Sequence, residues 1–393
     1  MQPLRIGVIG TGSVVREIYQ HLYFNSDYTA EIDVQAICDV NEAGLAEFGD
    51  QYGIPAGQRF TDYREMIARA NLDAVAVNTP DRLHTDPACA AMEAGLDVLV
   101  PKPLADRIAD ADRMIRCMRE TGRLIGVDFH KREDPRMKEA RTRFRAGDYG
   151  RLQIAVWYMV DKLSVADPNA EPRFFATPDF AEKNTPVSFL TVHMADAFMF
   201  ITDLRPVEVR ATGYKHTLPA LSPIPVNGYD LVDTEMVMEN GCVCHIITGW
   251  ALPNTAHAVT VQSARFIGSE GLLDLGLDRP GYHEILADGI FERNPMFRNF
   301  ESDGTVSGYG MSCPGKLLRV LNRFRNEEIA DQERENLSTP MSLGFYTTVV
   351  CEAAHLSLER GVEVSDGVTR GPAVEIAPLL RDTLGEEAAA EYL

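Results

Sequence analysis

The chain has 393 residues, 45% of them hydrophobic and 24% charged, the make-up of a folded globular protein of two or three domains; a mainly disordered, collagenous or coiled-coil chain is excluded. Lys and Arg number 38 and Asp and Glu 58, a net charge of −20, which repels phosphate backbones and anionic lipid, so neither nucleic acid nor a membrane is expected as partner. The 7 cysteines lie mostly inside apolar runs, as suits reduced thiols. The N-terminus enters a strand without a signal-peptide layout, so a cytoplasmic location is expected.

The first third alternates strand and helix. Apolar runs of strand length are Leu4–Ile9, Val34–Val40, Ala74–Val77, Val98–Val100 and Leu124–Val127; helical patterns between them cover Ser13–Tyr23, Glu42–Tyr52, Tyr63–Arg69, Pro87–Ala94 and Arg107–Glu120. Near-continuous apolar strands separated by amphipathic helices predict a doubly wound parallel sheet covered on both faces. Beyond residue 130 the pattern changes. A helix over Pro135–Ala146 and a strand over Arg151–Val160 precede a polar, proline-rich loop, 161–187, of a length that is usually functional. A helix over 188–203 follows, then strands over Val207–Lys215, Thr234–Met238, Cys242–Trp250, Val259–Ile267 and Gly271–Leu277. Strands at such spacing without intervening helices predict an open, mostly antiparallel sheet. The uncharged stretch 240–264 is broken by Gly241, Gly249 and Pro253 and reads as two strands and a turn. Helices over Lys316–Ala330 and Ser342–Arg360 and an acidic, helix-prone tail close the chain. Arg319, Arg323 and Arg325 read as a solvated helix face.

The first strand runs into Gly10-Thr11-Gly12-Ser13-Val14-Val15. Gly10 allows a tight turn, and Gly12 lets the backbone, with Ser13 and Val14, approach a pyrophosphate at the helix N-terminus, where free N–H groups and the dipole favour negative charge. The third glycine of this fingerprint is absent; Val15 occupies its place. Asp39 ends the second strand. A carboxylate there accepts hydrogen bonds from the adenosine ribose and repels a 2′-phosphate, with no neighbouring Arg or Lys in sequence to offset it, so NAD is expected over NADP. Cys242-Val243-Cys244-His245 invites a zinc reading, but no second ligand pair stands at zinc spacing, and no metal is expected.

These residues and three further motifs resemble the Gfo/Idh/MocA family of sugar, polyol and cyclitol oxidoreductases. Thr79-Pro80-Asp81-Arg82-Leu83-His84 resembles the family turn beside the cofactor, which implies cofactor roles for Thr79, Pro80 and His84. Glu93 to Ala105, containing Pro101-Lys102-Pro103, is similar to the family segment whose lysine contacts substrate and cofactor near the nicotinamide. Lys102 is therefore the expected catalytic residue: its ammonium can hydrogen-bond a substrate hydroxyl and stabilise a developing alkoxide. The family glutamate before that lysine is Pro101 here, and Lys102–Pro103 is a position where a cis bond is available. His193-Met194-Ala195-Asp196 matches the end of a family run, with Phe189 where the family has aspartate. His193 is the second expected proton-transfer group, though a buried structural histidine suits the same apolar helix; Asp161 and Asp179 flank the loop as substitute acids. His130, Tyr158 and Arg173 are further substrate-binding candidates, with strand-capping or surface roles open for His130 and Arg173.

The resemblance implies an α/β protein with a Rossmann NAD-binding domain, residues 1–131, and an α+β substrate-binding and oligomerisation domain, residues 132–393. It implies an NAD-dependent oxidoreductase that interconverts a secondary alcohol and a ketone on a small polyhydroxylated substrate (a sugar, sugar acid or cyclitol), assembled as a homodimer or homotetramer. Two alternatives stay open: a redox-neutral, NAD-dependent lyase or glycosidase-type enzyme, motivated by Phe189, and a non-catalytic NAD-binding protein, motivated by Val15, Pro101 and Phe189.

Overall fold

The computed structural model describes residues 2–175, 179–277, 282–287 and 289–393; Pro178 of the expected loop lies outside them. The chain forms two compact units, one made of the residues up to Asp134 together with Met296–Thr348, the other of Pro135–Pro295 with Val349–Leu393. The expected division at 131/132 placed everything after it in one domain, whereas the segment 296–348 returns to the first unit.

In the first unit, strands β1 (Leu4–Ile9), β2 (Ile32–Cys38), β3 (Arg59–Phe60), β4 (Ala74–Val77), β5 (Asp97–Pro101) and β6 (Ile125–Asp128) form a parallel sheet of order β3-β2-β1-β4-β5-β6. Residues of both strand faces are buried, Ile6, Val8, Val75 and Ala76 completely, which is why these strands read as unbroken apolar runs. The helices between them are α1 (Gln20–Asn25), α2 (Glu42–Gln51), α3 (Tyr63–Arg69), α4 (Thr85–Glu93) and α5 (Ile108–Thr121). Their ends are set locally: the Asn41 side chain accepts from the Gly44 amide at α2, Asp62 accepts from Arg64 at α3, and Gly122 ends α5 in the left-handed conformation. The strand order reverses direction between β1 and β4, the position at which open α/β sheets bind ligands beyond their carboxyl ends.

The second unit contains α6 (Pro135–Ala146), β7 (Leu152–Lys162), α7 (Phe180–Lys183), α8 (Val192–Thr202), β8 (Pro206–Tyr214), β9 (Leu231–Met238), β10 (Val243–Leu252), β11 (Thr260–Gly268) and β12 (Leu272–Gly276). They build a nine-stranded sheet of order β12-β11-β7-β10-β9-β8, continued by Val368–Arg370 and Val362–Ser365, with Val374–Glu375 also on β8. All pairs are antiparallel except β7 with β10. One face is covered: Ala155 and Trp157 are fully buried, and Phe266 packs against Trp157 and stacks on Phe198 of α8 at 5.9 Å. The other face of β7 shows Ile154 and Val156 to solvent.

Helices α9 (Tyr309–Arg325), α10 (Asp331–Leu337), α11 (Phe345–Glu359), α12 (Ile376–Leu384) and α13 (Glu386–Ala389) complete the chain. Helix α9 begins two turns before the expected start; Gly310, Pro314 and Gly315 hide those turns from a sequence reading. Met311, Leu318 and Leu321 enter the core that holds Leu4, Ile6, Val15 and Leu22, and this burial returns 296–348 to the first unit. Of the arginines of α9, Arg319 is exposed as expected, whereas Arg323 and Arg325 are half-buried, and all three are ion-paired. Arg319 pairs with Glu31, Arg323 with Glu333 at 2.8 Å, and Arg325 with Asp73 at 3.4 Å and Asp97 at 3.6 Å. Among the described residues no helix is long and apolar enough to cross a membrane.

Candidate functional site

Gly10 sits at the carboxyl end of β1 with φ +89°, and its amide donates to the Cys38 carbonyl at 2.7 Å. A Cβ on Gly10 would lie 2.7 Å from the Asn78 carbonyl oxygen, whereas one on Gly12 would meet nothing within 4 Å. Gly10 is thus required by the turn, and Gly12 leaves open space in front of the backbone. Ser13 and Val14 begin the helix and are exposed. Val15 is completely buried, and with it the helix widens into a π turn, Val15–Tyr19, ahead of α1. The third glycine serves close packing of helix on strand; here a buried valine stands at that position, at the start of the π turn. The Gln20 side chain donates to the Arg16 carbonyl within that turn. Arg16, which the sequence reading passed over, donates from Nε to the Thr11 carbonyl at 3.1 Å and from Nη2 to the Gly44 carbonyl at 2.8 Å, tying the glycine loop to α2.

This loop opens on a cavity of about 550 Å³ lined by Gly10, Gly12, Asp39, Asn78, Thr79 and Pro80 among others. Asp39 accepts from the Thr11 amide at 2.7 Å and the Asn41 amide at 2.9 Å. It therefore orders the glycine loop; Oδ2 also accepts from the Thr11 hydroxyl at 3.2 Å, while Oδ1 keeps acceptor capacity toward a ligand. Arg64, Arg82 and Arg113 line the same cavity. Arg113 is paired with Asp86 at 2.8 Å, and Arg64 lies over the Tyr63 ring at 4.5 Å. The sequence offers no cation beside Asp39; the fold adds Arg64 to the wall of the same cavity from the residues after β3, a strand too short to stand out in sequence. Open backbone at Gly12, a helix N-terminus and a hydroxyl-accepting carboxylate fit an adenosine diphosphate group.

His84, the third cofactor candidate of this turn, stands between two loops. It is fully buried, with Nε2 3.0 Å from the Thr79 carbonyl oxygen and Nδ1 3.1 Å from that of Pro103. It links the turn after β4 to the segment after β5. That segment holds Lys102, half-buried, before a cis Lys102–Pro103 bond. The Thr348 hydroxyl donates to the Ala105 carbonyl at 2.8 Å and fixes the segment's other end.

Two groups stand beside it. His130 packs against Phe297 at 5.3 Å and Tyr309 at 6.1 Å. Burial, with the ammonium groups of Lys131 and Lys102, pushes its imidazole down to about 3, so it is neutral at physiological pH. Asp128 pairs in register with Pro101 and is 5% exposed. Its Oδ2 accepts from the Tyr19 hydroxyl at 2.7 Å. Burial pushes its carboxyl up to about 6, against the hydrogen bonds of Tyr19 and Cys313. Between the ordinary value of 3.8 and about 6 the folded chain thus holds a proton that the unfolded chain has lost. Stability from this group is therefore greatest below that window and falls as pH rises through it, by up to about 3 kcal/mol at about 1.4 kcal/mol per unit. Asp128→Asn, which keeps an acceptor for Tyr19, is expected to be more stable than the parent at pH 7.5 and to lose this advantage toward pH 4. Parallel melting curves of the two proteins across that range would refute the assignment.

In the second unit His193 lies half-buried near the start of α8, one turn from buried Asp196. Tyr158 is not brought to it. Strand alternation places Tyr158 on the face opposite Trp157, away from the α8 side. Arg173 is exposed, and its Nε donates to the Pro168 carbonyl at 2.8 Å within the loop. Asp161 is buried and accepts from Thr260 at 2.6 Å, and Asp179 pairs with Lys183 at 2.5 Å. Phe189 joins Phe175, Phe180 and Trp250, its ring 5.2–5.7 Å from theirs. These aromatics close the core under the loop, so the position where the family has aspartate is apolar here. Cys242 and Cys244 are buried; burial raises the Cys242 thiol to about 11 and raises the Cys244 thiol as well.

The parallel sheet with its glycine turn and Asp39 defines a dinucleotide-binding α/β protein that carries a second, sheet-bearing unit. Residues 4–129 match the family model GFO_IDH_MocA, described as an oxidoreductase family with an NAD-binding Rossmann fold. Over these residues the chain is similar to the Gfo/Idh/MocA oxidoreductases, and its first unit has the NAD-binding fold that this family model describes. It is similar to the D-glucoside 3-dehydrogenase of Escherichia coli, 24% identical over 51% of this chain and 54% of that protein. It is also similar to the inositol 2-dehydrogenase of Mycolicibacterium smegmatis, 31% identical over 43% of this chain and 47% of that protein. The matches span about half the length of these relatives. The solved scyllo-inositol dehydrogenase of Lactobacillus casei, with NAD(H) and scyllo-inositol, superposes with a TM-score of 0.72 over 95% of this chain and 99% of that one at 17% identity, a likeness of fold.

Proposed function

We propose that this chain is an NAD-dependent dehydrogenase that interconverts a secondary alcohol and a ketone on a sugar, sugar acid or cyclitol. The observation that carries the reading is Lys102, held between two prolines at the end of β5, in the unit whose glycine loop and Asp39 line the nucleotide cavity. The names of the similar proteins, a glucoside and an inositol dehydrogenase, support the substrate class. NAD, when bound, supplies the hydride acceptor. Gly10, Gly12, Ser13 and Val14 present backbone to the pyrophosphate, and Asp39 accepts from the ribose. The neutral Lys102 amine takes up the hydroxyl proton as the alkoxide develops, and the ammonium so formed hydrogen-bonds the substrate oxygen. His193 is the second group that holds and passes that proton. The exposed face of β7 supports a homodimer or homotetramer, which light scattering would show.

Calorimetric titration with NADH and NADPH, followed by a D-glucoside and inositol screen with NAD, tests the reading. Tight NADH binding, weaker NADPH binding and one NADH formed per substrate oxidised are expected. Turnover with unconsumed NAD would establish the redox-neutral alternative, and NADH binding without any turnover the non-catalytic one. Asp39→Asn keeps an acceptor for the Thr11 amide but drops the charge. It is expected to bind NADH about tenfold more weakly, for the loss of a charged hydrogen bond. NADPH is expected to bind more tightly than to the parent, since the carboxylate that repels a 2′-phosphate is gone while Arg64 still lines the cavity. Unchanged affinity for both would remove Asp39 from the ribose site.

A further inference from the structure

The helix that carries His193 does not begin as an α-helix. Val187–Thr191 form a π turn, with the Val192 amide donating to the Val187 carbonyl, and only then does α8 start. One residue added to a turn rotates everything after it by about 100° around the axis, since roughly 3.6 residues complete a circle. The angular position of His193 therefore depends on whether this turn is π or α. A π turn is uncommon and occurs mostly as a single widened turn, frequently at functional sites.

A buried chain of hydroxyls holds this turn. Thr248, in the middle of β10 and completely buried, donates to the Pro186 carbonyl at 3.3 Å, at the head of the turn. Its oxygen lies 2.7 Å from the hydroxyl of Thr191, also completely buried, at the tail of the turn. Thr248 has one proton and gives it to Pro186, so Thr191 is the donor in the second bond. One side chain of the sheet thus grips both ends of the widened turn. The turn's entry is fixed separately: the Thr185 hydroxyl meets His355 Nε2 at 2.6 Å, and Thr185 and Ser188 bond reciprocally through amide and hydroxyl at 3.1 Å and 3.3 Å.

We propose that Thr248, through Thr191, is a positioning residue: it holds the π turn that sets the direction in which His193 projects. This rests on the proposed role of His193 for its effect on turnover, but not for its effect on geometry. Thr248→Val removes the hydroxyl and keeps the branched shape; Thr248→Ser restores the hydroxyl.

The test uses full-length protein labelled with 13C-histidine, the His193 resonance being assigned by its loss in His193→Ala. Thr248→Val is expected to remain folded, to move the His193 resonance, and to lower kcat on myo-inositol or methyl β-D-glucoside at least tenfold with the KM for NAD unchanged. Thr248→Ser is expected to return resonance and kcat toward the parent. A folded Thr248→Val with parental His193 resonance and parental kcat would overturn the proposal, as would failure of Ser to rescue. Should Thr248→Val fail to fold, Thr191→Ala, which deletes only the tail contact, carries the same expectations and the same refutation. Full activity in His193→Ala would refute the catalytic role of His193; a shifted resonance in Thr248→Val would then still support the positioning, and an unshifted one would overturn it.

Discussion

Lys102→Ala is expected to lower kcat by about a hundred- to ten-thousand-fold, the range for removing a group that handles the reacting proton, while NADH affinity changes little. The backbone around Lys102 is held without its side chain: Pro101 pairs with Asp128 across β5 and β6, His84 meets the Pro103 carbonyl, and Thr348 holds that of Ala105. The substitution therefore removes an ammonium from a segment that stays in place. Lys102→Arg is expected to recover little activity. A guanidinium is larger, spreads its charge over a plane and does not release its proton at working pH. Single-turnover kinetics with NAD and calorimetry with NADH separate the two effects. An alanine variant with parental kcat would exclude Lys102 from the chemistry. One that loses NADH binding and kcat together would make it a cofactor ligand instead.

The second large effect is expected from the paired variants Gly10→Ala and Gly12→Ala, which act by different routes. At Gly10 the backbone is left-handed and the added Cβ meets the Asn78 carbonyl oxygen at 2.7 Å. Strain of about 1–3 kcal/mol for a non-glycine residue there, together with that contact, is expected to lower the melting temperature and to abolish NADH binding. At Gly12 the added methyl meets no protein atom within 4 Å. The fold is expected to keep its stability, while the methyl occupies the space through which the backbone approaches the pyrophosphate, weakening NADH by about 10- to 100-fold, or about 1.4–2.8 kcal/mol. Differential scanning calorimetry and NADH titration of both variants give the comparison. Equal melting points for the pair would refute the strain at Gly10, and parental NADH affinity in Gly12→Ala would place the pyrophosphate elsewhere.

Much of the first unit is legible in the sequence because its signals are local. Strands buried on both faces are unbroken apolar runs, and Asn41, Asp62 and Gly122 mark helix ends within a few residues of themselves. Gly10, Gly12 and Asp39 are legible for the same reason: each stands at the end of a readable strand. Arg64 and Arg16 were missed because their roles depend on what the fold sets opposite them, a cavity wall and the loop carbonyls. The short strands 362–375 and the first turns of α9 were missed because strands of 2–4 residues carry little pattern and because glycine and proline mask the helix.

What the sequence by itself determined is therefore the parallel sheet, the glycine turn with Asp39, the candidate Lys102, and the change to a strand-rich second half. Tertiary structure alone decided that 296–348 belongs with the first unit, because α9 buries its apolar side on that core. It decided that His84 braces two loops, since both ring nitrogens meet carbonyls 5 and 19 residues away in the chain. It put Tyr158 on the far face of its sheet, a choice of side that alternation leaves open until the sheet is packed. It also decided that two helix starts widen into π turns at Val15 and Val187. Such a turn is disfavoured locally, and at Val187 it is held by hydroxyls brought from a strand some sixty residues away, Thr248 to Pro186 being 62 residues apart. No reading of neighbouring residues can contain that distance.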